Sequence, residues 1–169
     1  KAIRLYVRSM EEYLLVFKYP NILLKTQQQY EELLCSMDKK EMDDFGKLFF
    51  QERVSLKQQS PDKWFNLHTV YPNIKKTVLL IQKLFTLYIV SGKDKGSIED
   101  IFHSLDITIP KNTIFEKKAD DKYKIINKLA RTHKISLIDT CFLDDNISHL
   151  LTPHQNGVTT LLANWGYVT

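Results

Sequence analysis

The stretch "SLIDTCFLDDNISHL", Ser136 to Leu150, runs an apolar segment straight into two adjacent carboxylates, Asp144 and Asp145. Like charges side by side repel, so the pair either points into water or faces something positive. The apolar run is short and is followed by "NISHLLTPHQN" and then by "GVTTLLAN". The expected order is strand, helix, strand, with the two acids at the carboxyl end of the first strand. An Asp-Asp-Asn turn capping the next helix is the competing reading.

Working outward, strands and helices alternate from Tyr71 onward. "YPNIKKTVLLIQKL" has helical spacing, "FTLYIV" (Phe85 to Val90) is a short buried strand, and "GSIEDIFHSLDI" is helical. "NTIF" is a short strand and "DDKYKIINKLARTHK" a helix, with Asp120 or Asp121 as its cap and Lys122 in its first turn. Alternation of this kind predicts a parallel sheet with helices on both faces. In such sheets ligands sit at the carboxyl ends of the strands.

Residues 1 to 66 differ in character. "AIRLYVRSMEEYLLVF", "TQQQYEELLCS" and "KKEMDDFGKLFFQERVSLKQ" carry apolar residues three and four apart, the pattern of amphipathic helices, and strand-like alternation is absent. The expected organisation is a helical domain over 1–66 and an α/β domain over 67–169.

Composition excludes several classes. The chain has 169 residues, 43% of them hydrophobic and 26% charged, enough to bury a core rather than remain disordered. Its longest apolar run, Thr77 to Val90, is broken by Gln82 and Lys83 and is shorter than the roughly 20 residues a membrane helix needs. No membrane partner is expected. Cys35 and Cys141 lie far apart without metal-ligand spacing, which suits a reduced, cytoplasmic protein. The net charge of +4 comes from lysines scattered among acids, so nucleic acid is a minor candidate partner, with the basic helix "KYKIINKLARTHK" as its contact. The five histidines show no ligand spacing and are expected to be structural or exposed.

The strand ends then supply candidates. Ser91 and Gly92 follow the strand "FTLYIV", where a hydroxyl and free backbone N–H groups near a helix start can cradle phosphate. Lys122 places a cation at the positive end of a helix, an electrostatic conflict that a facing anion would offset. Asp144 and Asp145 suit a hard cation such as Mg²⁺, which is often held by few carboxylates together with substrate phosphate.

In this order, "FTLYIVSGKDKGSIEDI", Lys122, "CFLDDN" and "GVTTLLANWGY" resemble the haloacid dehalogenase-like hydrolases, in particular the phosphoglycolate-phosphatase-like branch with a helical cap. The resemblance implies a Rossmann-like three-layer α/β/α core, with the helical segment as its cap. It implies a Mg²⁺-dependent phosphatase acting on a small phosphorylated metabolite, although dehalogenases and phosphonatases share the fold. Ser91 would be the phosphate-binding hydroxyl beside Gly92. Lys122 would steady the nucleophile and the phosphoryl group, with Lys118 as the alternative lysine. Asp144 and Asp145 would hold Mg²⁺, Asp145 more directly. His149, four positions past Asp145, stands where many relatives carry a further acid.

One element of that family is absent. Its nucleophile is the first Asp of an Asp-x-Asp signature on a central strand, and no Asp-x-Asp occurs in these 169 residues. A sheet lacking its middle strand would leave backbone groups unpaired. The expectation is therefore that a preceding segment or another chain supplies the strand, and that these residues alone are inactive. The competing expectation is a binding module that keeps the fold without the chemistry.

Overall fold

The computed structural model describes residues 3–68, 70–116 and 122–166. Among these, the chain is mixed α/β, with eight α-helices and two parallel sheets of two strands each. It divides into two compact units. One extends to Trp64 and takes in the residues from Ala163 onward; the other is Phe65–Leu162.

The first unit is helical. The expected long first helix forms only in part: a single 3-10 turn at Ile3–Leu5 is followed by irregular chain, and regular helix begins with α1, Tyr13–Lys18. The interruption coincides with two hydrogen bonds to one carboxylate. Glu12 turns back to accept hydrogen bonds from the Arg8 backbone N–H (2.7 Å) and the Tyr30 hydroxyl (2.5 Å), tying the chain into a turn instead of a continuous helix. Helix α2, Gln27–Cys35, starts where the sequence predicts, with Thr26 Oγ1 accepting from the Gln29 N–H. Helix α3, Lys39–Gln59, is capped by Asp38, and α4 covers Pro61–Asn66.

Ile3, Tyr6, Leu15, Leu24 and Tyr30 form the buried core of this unit, with the rings of Tyr6 and Tyr30 stacked at 5.5 Å. Burial, together with the Glu12 carboxylate, pushes the Tyr30 hydroxyl's pKa well up, so it stays protonated and keeps donating. Along α1 and α3, Tyr13, Phe17, Phe45 and Phe49 add a second aromatic cluster.

The second unit carries the strands. Helix α5, Ile74–Leu84, precedes β1, Ile89–Ser91; α6, Lys95–Ser104, then leads to β2, Ile114–Glu116. Helix α7, Lys122–His133, leads to β3, Cys141–Asp144, and α8, Ile147–Gln155, to β4, Thr159–Leu162. Two strands are shorter than their apolar runs suggest. Phe85 to Tyr88 lie outside β1, and Leu137–Asp139 form a 3-10 turn before β3.

Pairing is parallel throughout. β1 aligns Ile89 with Ile114, and β3 aligns Cys141 with Thr159. Each crossover is helical, as parallel neighbours require. Gly157, at φ +89°, makes the turn that ends α8, a backbone shape that side chains resist. Directly after it, the Thr159 N–H reaches the Thr140 carbonyl at 2.9 Å and opens the β3–β4 ladder.

The two sheets remain separate. Among the described residues β1 pairs only with β2, and β3 only with β4. Leu143 and Leu161, opposite each other in the second sheet, are each 50% exposed, whereas a parallel sheet ordinarily has both faces covered. Among the described residues no helix is long and apolar enough to cross a membrane.

Leu15 is fully buried at the centre of the helical core. Leu15→Ala should therefore lower stability by about 2–5 kcal/mol in urea unfolding, whereas replacing the exposed Leu23 by Ala should change it by less than about 0.5 kcal/mol.

Candidate functional site

The two candidate strand ends are built differently. Ser91 closes β1, and its Oγ accepts from the Lys93 N–H at 3.1 Å, forming a tight turn toward α6. Asp94 caps α6 by accepting from the Ser97 N–H at 2.8 Å. The Ser91 oxygen accepts within the turn, while its own O–H stays available to donate. Gly92 lies in the same turn.

At the end of β3 the groups converge. Asp144 is its last residue; its Oδ1 accepts from the Asn146 N–H at 2.9 Å. Asn146 in turn caps α8 by accepting from the Ser148 N–H at 2.9 Å. This fixes the carboxylate against the start of α8, where the positive end of the helix favours an anion. Lys122, the first residue of α7, is buried, and its Nζ donates to Asp144 Oδ2 at 2.6 Å. The ion pair is shielded from water, the two side chains being 10% and 9% exposed.

His149 completes a triangle. Its Nδ1 lies 3.0 Å from Asp144 Oδ1 and 3.1 Å from Lys122 Nζ. An ammonium can only donate, so Nδ1 either accepts from Lys122 or donates to Asp144. In both tautomers Nε2 is left buried and, among the described residues, without a hydrogen-bond partner. The ring, 14% exposed, is held in the chain by these contacts. Residue spacing alone gives His149 no ligand pattern; only the resemblance singles it out, four positions past Asp145.

The electrostatics follow from the geometry. Burial of the Asp144 carboxyl works to raise its pKa; hydrogen bonds from His149 and Lys122, the ammonium's charge and the Asn146 N–H outweigh that and hold it down at about 2. The acid is therefore ionised throughout the neutral range.

The sequence candidates separate accordingly. Lys122 and Asp144 meet directly. Asp145 follows Asp144 at the turn and is partly buried. Among the described residues Ser91 makes no hydrogen bond to Lys122, although α7 packs against β1 and so brings the two elements together. Asp120 and Asp121, the expected caps of α7, and Lys118 lie outside the described residues.

As arranged, Asp144 is occupied by protein donors on both oxygens, and among the described residues no three or more His, Cys, Asp or Glu side chains gather as metal ligands. A divalent ion on Oδ2 would have to displace an ammonium from 2.6 Å.

Asp144 has a lowered pKa, so the unfolded chain takes up its proton first on acidification. Its contribution is present above about pH 4 and is lost as the pH falls toward 2. The lost share is about 2 kcal/mol. Urea unfolding from pH 5 to pH 2 should show that acid-sensitive share in the wild type and lose it in Asp144→Asn.

Comparison with protein-family models, with curated proteins and with solved structures finds no match for this chain.

Proposed function

We propose that the chain belongs to a haloacid dehalogenase-like hydrolase and supplies the lysine and acid end of a phosphatase site for a small phosphorylated metabolite. The observation that carries this reading is the buried Lys122–Asp144 pair at the carboxyl end of a parallel strand. An order of strand-hydroxyl, helix-leading lysine and strand-acid was expected from the sequence, and lysine and acid meet in space.

The sheet pairing supports the same reading. In the proposed three-layer core a further strand lies between β1 and β3 and pairs with both, meeting the open edges of the two ladders. That strand would carry the Asp-x-Asp signature. Its first carboxylate attacks phosphorus, the ester oxygen leaves with a proton from the second, and water then hydrolyses the acyl phosphate to release phosphate. Lys122 would balance charge on the transferring group while Asp144 holds the ammonium in place. Groups fixed in advance in this way make the largest electrostatic contribution to such reactions. Ser91 and Gly92 would bind the phosphate from the neighbouring strand end.

A second reading, a binding module without turnover, is favoured by the lack of Asp-x-Asp in these residues. The two differ in an assay with a generic phosphate ester. The 169 residues alone should give no turnover. The protein that includes the signature strand should hydrolyse the ester, and Lys122→Met or Asp144→Asn should lower its kcat by about 10²–10³-fold. Undiminished turnover in these variants would reject the assignment.

A further inference from the structure

We infer that the Lys122 ammonium is the resident cation of the Asp144 cluster, filling the place where a divalent ion would otherwise sit. Donors from within the chain occupy both carboxylate oxygens: Lys122 on Oδ2, and the Asn146 N–H on Oδ1 with His149 Nδ1 beside it. A hard cation binds carboxylate oxygen at about 2.0–2.1 Å. Here the ammonium already sits 2.6 Å from that oxygen, in a pair almost closed to water. Two cations on one carboxylate oxygen repel each other strongly where solvent screening is weak.

The geometry also says what would admit a metal. If the charge at position 122 is removed, Asp144 keeps its hydrogen bonds to Asn146 and His149 but loses its counter-ion. An anionic carboxylate then lies next to Asp145, at the positive end of α8. That arrangement takes a hard, oxygen-seeking divalent ion, and Lys122 is what selects against it. The ammonium is covalently tethered, so its local concentration exceeds that of any free ion.

Mn²⁺ is the probe, because it prefers the same oxygen ligands and its unpaired electrons broaden nearby resonances. In ¹⁵N spectra of the wild-type chain, millimolar Mn²⁺ should leave the amides of Asp144, Asp145 and Asn146 no broader than those of other exposed acids. In Lys122→Gln, which keeps a hydrogen-bond donor but no charge, the same amides should broaden selectively, at a concentration at least about 10-fold lower than any effect in the wild type. Selective broadening at Asp144–Asn146 in the wild type would overturn the inference, as would a folded Lys122→Gln variant that gains none. If that variant does not fold, the wild-type spectrum decides alone. No turnover enters the measurement, so the hydrolase reading can fail without altering the outcome.

Discussion

The second unit is organised around one ion pair. Lys122 starts α7 and Asp144 ends β3, so their bond joins the helix that packs on the first sheet to a strand of the second. Burying an ammonium and a carboxylate costs several kcal/mol for each ion, and their attraction offsets this only when the remaining hydrogen-bonding capacity is filled. Asp144 meets that condition through Asn146 and His149. An apolar pair of similar volume would stabilise the fold as well or better. The arrangement is therefore better explained by what the charges do than by how much stability they add.

Around that pair the structure has an open character unusual for parallel sheets. Among the described residues four strands of three or four residues form two ladders instead of one, and apolar residues of the second ladder remain half exposed. The helical unit, in contrast, has a closed core in which two tyrosines, two leucines and an isoleucine are almost fully shielded. The difference lies in how each unit satisfies itself. Helices pair their backbone groups internally, whereas each strand in a two-membered ladder leaves one edge to be met by something else.

The sequence conveyed the alternation of helix and strand from Tyr71 onward, because short β-rich runs bounded by glycine and asparagine contrast with longer amphipathic ones. The expectation that Lys122 and the acids converge came from the family resemblance, and in space Lys122 meets Asp144. Other features depend on contacts that no local pattern encodes. The break before Tyr13 coincides with the hold of Tyr30 on Glu12, eighteen positions away. His149 joins the cluster only because Asn146 starts α8 immediately after the strand and its first turn swings the ring back over Asp144. Asp145 was expected as the more direct Mg²⁺ ligand on family resemblance; the contact that no resemblance supplied is the one from Lys122 to Asp144.

The central claim is that Lys122 and Asp144 act as one coupled unit. A double-mutant cycle of Lys122→Met and Asp144→Asn, read by urea unfolding at neutral pH, measures that coupling directly. Each single change leaves a buried charge alone and should be costly, while the double variant removes both, giving a coupling energy of about 2 kcal/mol or more. A coupling below about 0.5 kcal/mol, the value of an exposed pair, would contradict the account.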